Sequence, residues 1–167
     1  MTEGKRNQRQ TGSDVKTFTV PFAFANIKEN IQIITNIATK SSKEQIINQA
    51  ITFHLEGNIL EALKYYQNFI DQGFEDHKVF SNYGVILKSR GNLKEAEKSF
   101  RKAIKLNPEY ANAHYNLGNL LDNLGNLEEA ENSYRKACQL NPKFIEAYSN
   151  LGETLKDRGD FEEARSC

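Results

Sequence analysis

The sequence predicts an all-α protein, an α-solenoid in which antiparallel helix pairs stack in a row. Two observations lead to this prediction. The chain resembles itself when it is shifted by 34 residues, and within each 34-residue unit the apolar residues recur at helical spacing. No window in these units alternates apolar and polar residues as a half-buried strand would. A single helix pair cannot bury its apolar face alone, so we expect consecutive pairs to pack on one another.

Four units follow one another along the chain. The stretch EDHKVFSNYGVILKSRGNLKEAEKSFRKAIKLNP aligns with EYANAHYNLGNLLDNLGNLEEAENSYRKACQLNP. We therefore predict a repeat domain over residues 43–167. Its units are a divergent repeat (43–76), two further complete repeats (77–110 and 111–144) and a partial repeat (145–167).

Residues 1–42 are predicted to form a flexible, largely disordered leader. Its polar start has no apolar run behind it and is therefore not a secretory signal. Near residues 17–24 apolar side chains alternate with others, and Pro21 excludes a central strand, which predicts an extended apolar segment.

The charge balance and the cysteine content indicate which partners and which compartment to expect. The 167 residues include 22 Lys and Arg against 22 Asp and Glu, a formal net charge of zero. Such a chain has no long-range field that would gather nucleic acid or an anionic membrane surface, so we expect neither as a partner. Two cysteines cannot build a disulfide framework and fit a reducing compartment, which predicts a cytoplasmic protein.

Small residues recur at two positions of the predicted helix pairs. Gly84, Gly118 and Gly152 share one position, although glycine costs a helix about 1 kcal/mol relative to alanine. We therefore expect another helix to approach the backbone closely there, with the alanine position of Ala96 as the opposite wall.

A turn signal, Gly followed by Asn or Asp, separates the two helices of each unit. The glycine predicts a left-handed end for the first helix. The residue after it is expected to cap the second helix, with a glutamate three residues later as in a capping box. The turn residues are Gly57-Asn58, Gly91-Asn92, Gly125-Asn126 and Gly159-Asp160.

These positions resemble the tetratricopeptide repeat, a 34-residue helix–turn–helix unit. The resemblance covers about residues 43–167. It implies a right-handed solenoid in which the first helix of each unit lines the concave side. The matching residues are Gly84, Gly118, Gly152, Ala96, Ala103, Ala130, Ala137, Phe100, Tyr134, Pro108 and Pro142. The first unit departs from the pattern, with Phe69 in place of an alanine and Phe74 in place of the proline, so we expect a bulkier junction there.

One asparagine recurs in every unit, at Asn48, Asn82, Asn116 and Asn150. Asparagine is a mediocre helix former, and its amide offers both an acceptor and a donor, which suits it to bind the main chain of an extended peptide. This ladder is similar to those of the O-linked N-acetylglucosamine transferase family and of importin-like solenoids, where such asparagines hold peptide main chain. The structural alternative is that each asparagine bonds to a neighbouring helix or only marks the ancestry of the repeats.

The other groove positions are mildly polar and mixed in charge. We expect Lys88, Tyr115, Asn119 and Asp122 to flank the ladder. They form no stripe of one sign, which argues against a strongly acidic or basic ligand. It also argues against the carboxylate clamp of some tetratricopeptide domains, which needs clustered Lys and Arg.

Catalytic and metal-binding motifs are missing from the sequence. His54, His77 and His114 are far apart and have no metal-ligand spacing, so we expect no catalytic residue, cofactor or metal. Cys138 is expected to pack, and nothing near Cys167 would activate its thiol.

The sequence predicts a non-catalytic protein–protein interaction module that binds an extended segment of a partner protein in its concave groove. The alternative is a truncated, substrate-recruiting N-terminal part of a larger transferase of glycosyl- or sulfotransferase type, because similar repeat arrays commonly precede transferase domains. A weaker alternative is a purely structural oligomerisation scaffold.

The fourth unit stops early in its second helix, which would begin near Phe161. Tyr148, Leu151 and Leu155 are then expected to lack most of their cover. Either the chain is truncated or the leading part of a longer protein, or weak self-association through the incomplete repeat covers this face.

Overall fold

The computed structural model describes residues 42–165 of the chain. The predicted leader therefore lies outside the described residues, apart from residue 42, as does the thiol of Cys167. Within 42–165 there are eight helices and no strand, which confirms the all-α fold class. The helices are α1 (residues 42–55), α2 (Ile59–Asp71), α3 (His77–Ser89), α4 (Leu93–Leu106), α5 (Ala111–Asn123), α6 (Leu127–Leu140), α7 (Ile145–Arg158) and α8 (Phe161–Ala164).

The helices pack in the order in which they occur in the chain. The pairs α3–α4, α5–α6 and α7–α8 pack internally, and each of α2, α4 and α6 also packs on the helix that follows it. The first helices contact one another as well, α3 with α5 and α5 with α7. The result is an α-solenoid in which, among α2–α8, the main packing contacts join helices that are first or second neighbours in sequence.

Glycines in the left-handed region close the turns between paired helices. Gly91 has a φ of 79°, and the φ angles of Gly57, Gly125 and Gly159 are also positive, as predicted. The predicted capping box is wrong: Asn92 has φ of −82° and ψ of 63°, and its side chain makes no cap hydrogen bond. Backbone groups close the turn instead, because the backbone N–H of Asn92 donates to the Leu87 carbonyl over 2.9 Å. Among α2–α8, only Asp76 caps a helix through its side chain, because its backbone is extended.

Aromatic rings, rather than alanines, form the wall opposite the recurring glycines. A Cβ at Gly84 would lie 2.6 Å from Cε1 of Phe100, and a Cβ at Gly118 would lie 2.7 Å from Cε1 of Tyr134. Ala96 is fully buried but is not the nearest neighbour. The close approach of a second helix is thus confirmed, and the residue that makes it is corrected.

The first unit has its own apolar core. Phe69 is fully buried, and its ring centroid lies 5.4 Å from that of Phe74, so the two residues that depart from the repeat pattern pack together in this core. Tyr83 packs against this core and against the larger core of the later units.

The first helix of the fourth unit, α7, is well covered, contrary to expectation. Leu151 is 4% exposed and Leu155 is fully buried, because α5, α6 and α8 surround that face of α7. Tyr148 is half-buried.

Candidate functional site

The predicted asparagines lie on the first helices of the four units. Asn82 lies on α3, Asn116 on α5 and Asn150 on α7, and all three are half-buried. Asn48 lies on α1 and is exposed. The last three units therefore place one asparagine each along a row of adjacent first helices.

Each half-buried asparagine donates one N–H to the unit before it. The Nδ2 of Asn116 donates to the Ser81 hydroxyl over 3.2 Å, and that of Asn82 to the Tyr66 hydroxyl over 3.3 Å. The Nδ2 of Asn150 donates to Oδ1 of Asn119 over 2.7 Å. These bonds are the neighbouring-helix contacts of the structural alternative. Each bond uses one of the two N–H hydrogens, and the Asn150 amide also contacts the Tyr134 hydroxyl. Within the described residues no hydrogen bond reaches the three amide oxygens.

Buried tyrosines of the second helices, Tyr66 on α2 and Tyr134 on α6, contact these asparagines. Burial is the largest cause that raises the pKa of both Tyr66 and Tyr134, and each hydroxyl contacts an asparagine. The Tyr134 hydroxyl donates to Oδ1 of Asn119 over 2.8 Å. Phe100 occupies the same repeat position without a hydroxyl, and there Ser81 accepts from Asn116 instead.

Sequence reasoning missed the roles of these residues. In the sequence, Tyr134 stands out only as a match to the repeat pattern, and Tyr66 does not stand out. The available signal was the alternation of Tyr66, Phe100 and Tyr134 at one repeat position.

Three of the predicted flanking residues lie together. The Lys88 ammonium donates to the Asn119 carbonyl over 3.5 Å, and Asp122 accepts from the Thr154 hydroxyl over 3.4 Å. Burial lowers the pKa of Lys88, and the charge of Asp122 opposes that shift. Tyr115 packs elsewhere, with its ring 4.7 Å from that of Phe144.

We call the polar strip made by Asn82, Asn116, Asn119 and Asn150, with Lys88 and Asp122 beside it, the asparagine row. It crosses α3, α5 and α7 and carries one cation, one anion and several neutral amides. Such a surface can donate and accept hydrogen bonds without a preference for charge.

A second row of contacts joins the second helices. Arg101 bonds Glu97 on its own helix and Glu129 on α6, each over 2.8 Å. Arg135 bonds Glu131 and Glu163 in the same way one unit later. Because these side chains are partly exposed, each pair adds at most about 1 kcal/mol.

The histidines do not assemble into a site. Within residues 42–165 no group of three or more His, Cys, Asp and Glu side chains is placed to hold a metal ion. His54 packs edge-on against Tyr66, and a ring nitrogen of His114 lies 2.9 Å from the Pro108 carbonyl. No helix in the described part of the chain combines the length and the apolar character needed to cross a membrane.

Three family models match overlapping parts of the chain. A TPR repeat model matches residues 84–125, and two tetratricopeptide repeat models match residues 111–144 and 133–166. No curated protein matches the chain.

Solved structures resemble this chain over most of its length. A MamA protein is 25% identical over 77% of this chain and 70% of its own, with a TM-score of 0.69. A mutant of the Thermobaculum terrenum O-GlcNAc transferase is 25% identical over 70% of this chain, with a TM-score of 0.65, and the chain spans 22% of that enzyme. The first TPR of Spaghetti (RPAP3), bound to the HSP90 peptide SRMEEVD, is 21% identical over 70% of this chain and 93% of its own, with a TM-score of 0.66, and shows the fold alone.

The repeat period, the stacked helix pairs and the matching family models agree. The chain is a tetratricopeptide repeat protein with repeats similar to those of O-GlcNAc transferase.

Proposed function

We propose that the chain is a non-catalytic protein–protein interaction module that holds an extended segment of a partner protein along the asparagine row. The observation that carries the proposal is the placement of Asn82, Asn116 and Asn150. Each is fixed by an N–H bond to the preceding unit, and within the described residues its amide oxygen accepts no hydrogen bond. The similar fold of the Spaghetti (RPAP3) domain, which is bound to a peptide, supports the proposal.

Helix spacing determines how a peptide would meet the row. Packed helices lie roughly 8–10 Å apart, and an extended chain advances about 3.3 Å per residue. One asparagine therefore serves about every third peptide residue, and a segment of roughly six or seven residues reaches from Asn82 to Asn150. The exposed Asn48 would extend the row to the first unit.

The charges beside the row favour a neutral segment. Lys88 and Asp122 oppose one another, so neither sign of ligand gains a clear advantage. Amide hydrogen bonds to main-chain groups remain the main source of affinity, and we expect tolerance of many peptide sequences.

A peptide-display selection against the full chain tests this function. Twelve-residue peptides that bind are synthesised, and their Kd values are measured by fluorescence anisotropy. Asn82→Ala with Asn116→Ala removes two amides, which is expected to weaken binding roughly tenfold. The matched control is Lys98→Ala with Asn132→Ala, two exposed equivalent positions on α4 and α6. Equal affinity for wild type and the asparagine variant, with circular dichroism unchanged, would exclude the row as the peptide site.

The similarity to O-GlcNAc transferase favours one second candidate. In that case the chain is the substrate-recruiting part of a larger transferase, since it spans 22% of that enzyme. The coding frame downstream of Cys167 provides the test: a continuing frame that encodes a catalytic domain supports this candidate, and an immediate stop codon rejects it.

Two further expectations belong to the proposal. We propose a cytoplasmic location and weak self-association through the fourth unit, where Ile145 is 77% and Phe161 is 60% exposed. A dilution series in sedimentation velocity tests self-association, because a constant monomer mass at every concentration would rule it out.

A further inference from the structure

A cleft of about 680 Å³ lies between α2 and α3, away from the asparagine row. Leu63, Leu87 and Tyr83 contribute its apolar surface, and Asp71 and Arg90 contribute charges. Nothing in the proposed function uses this cleft.

Ion pairs bridge the equivalent place at the last junction between units. There α6 carries Glu131 and Arg135, four residues apart on one helix face. Glu131 binds Arg158 of α7, and Arg135 binds Glu163 of α8.

The first junction, where α2 of the first unit packs on α3 of the second, lacks a pair of side chains like Glu131 and Arg135. Leu63 and Gln67 of α2 stand at the repeat positions of Glu131 and Arg135. The residues that such a pair would bind are still present, as Arg90 and Glu95. Within residues 42–165, neither Arg90 nor Glu95 forms an ion pair.

Four other charged or polar residues of the cleft, Lys64, Gln67, Asp71 and Tyr83, already have partners. Lys64 binds Glu61 over 2.6 Å. The Tyr83 hydroxyl donates to Oε1 of Gln67, whose Nε2 donates to Asp71 over 2.8 Å. Burial raises the pKa of Tyr83, with smaller contributions from the charges of Asp71 and Glu95. Glu95 lies beside the cleft and not in its lining, three residues after Asn92, which lines it.

We propose that this cleft docks a helical segment of a partner protein that presents a glutamate and an arginine four residues apart. The glutamate binds Arg90, the arginine binds Glu95, and the aliphatic stems of both lie on Leu63 and Leu87. The partner thereby supplies the two side chains that α6 supplies at the last junction.

The probe is a synthetic helix with the sequence of residues 127–140, carrying Cys138→Ser, a lactam bridge on its far face and a fluorescent label. Its binding to the full chain is measured by fluorescence anisotropy at low salt. The protein variant Arg90→Glu with Glu95→Arg is expected to weaken binding at least about tenfold, because it opposes like charges. A probe with Glu131→Arg and Arg135→Glu is expected to restore binding to that variant.

Two further variants determine whether the cleft itself is the site. Leu63→Glu with Gln67→Arg fills the cleft with the chain's own ion pairs and is expected to abolish probe binding. Lys98→Glu with Glu128→Arg makes a comparable charge exchange at exposed positions outside the cleft and is expected to leave binding unchanged.

Absence of probe binding would overturn the proposal, and so would binding that neither cleft variant alters. Concentration-dependent association of the full chain that Leu63→Glu with Gln67→Arg removes would assign the cleft to a second copy, which also overturns it. The variant Asn82→Ala with Asn116→Ala is expected to bind the probe as wild type does. Probe binding at the cleft can therefore be judged independently of peptide binding at the asparagine row.

Discussion

The ring of Phe100 lies against the backbone of Gly84, where a Cβ would approach Cε1 to 2.6 Å. This contact joins the two helices of the second unit, and the pair Gly118 and Tyr134 repeats it one unit later. Both rings are essentially buried. Glycine is needed there because α4 and α6 bring a large ring onto the helix backbone.

Gly84→Ala is therefore expected to destabilise the protein, although alanine favours helices. The overpacking costs about 1–3 kcal/mol, which exceeds the gain in helix propensity of about 1 kcal/mol in most of that range. Urea unfolding followed by circular dichroism measures the change. Adding Phe100→Leu makes room for the new methyl group, so the double variant should lose less than the sum of the two single changes. Strict additivity would contradict the contact.

Phe100→Tyr is expected to add a hydroxyl that Asn116 can reach, as Tyr66 does for Asn82. A satisfied hydrogen bond of this kind is worth about 0.5–1.5 kcal/mol. The gain should appear as a higher urea midpoint and should vanish in the background of Asn116→Ala. A gain that persists without Asn116 would show that the new hydroxyl has a different partner.

Leu63→Glu with Gln67→Arg is expected to form the ion pairs of the later units at the first junction, at the cost of the packing of Leu63 and of the hydrogen bonds of Gln67. Because the pairs are partly exposed, they contribute about 0.5–1 kcal/mol at low ionic strength, and this contribution falls in molar salt. Thermal unfolding at low and at molar salt therefore measures a stability that falls with salt more than that of wild type. Gln67→Arg alone, which lacks the second partner, is the control and should show a smaller salt dependence.

Stability is expected to fall as the pH falls through the range in which the half-buried His54 and His114 titrate. Burial lowers the pKa of His54 and His114 from 6.5, so both stay neutral in the folded chain while the unfolded chain takes up protons. Their contribution is complete above pH 6.5 and is lost as the pH falls from there through the lowered folded pKa values. Urea unfolding between pH 8 and 5 should show this slope for wild type and a shallower one for His54→Gln with His114→Gln.

A separate loss is expected at lower pH from the ion pairs of the second helices. The hydrogen bond from Arg135 lowers the pKa of Glu163 below 4.5, and Lys102 does the same for Glu75. Folding therefore gains from these carboxylates above pH 4.5 and loses that gain as they become protonated. Glu163→Gln should remove part of the acid sensitivity in unfolding curves below pH 4.5 and leave the histidine range unchanged.

Local signals were sufficient to predict the helices and their order. α3, α5 and α7 begin at His77, Ala111 and Ile145, and left-handed glycines such as Gly91 close the turns within units. These features depend on a few neighbouring residues. The side-chain caps were mispredicted because the tight turn leaves Asn92 outside the extended conformation that a cap requires.

The partners of the candidate site residues could not be predicted in the same way. Asn82 meets a hydroxyl 16 residues away and Asn116 meets one 35 residues away, so one repeated asparagine has different partners in successive units. Likewise, the cleft at the first junction exists because Leu63 and Gln67 interrupt a row of ion pairs whose members lie 27 or 28 residues apart. Periodicity determines which helix face is buried, since that requires only residues of one helix. The placement of donors, charges and clefts depends on side chains from two or three helices, which only the stacking of the units brings together.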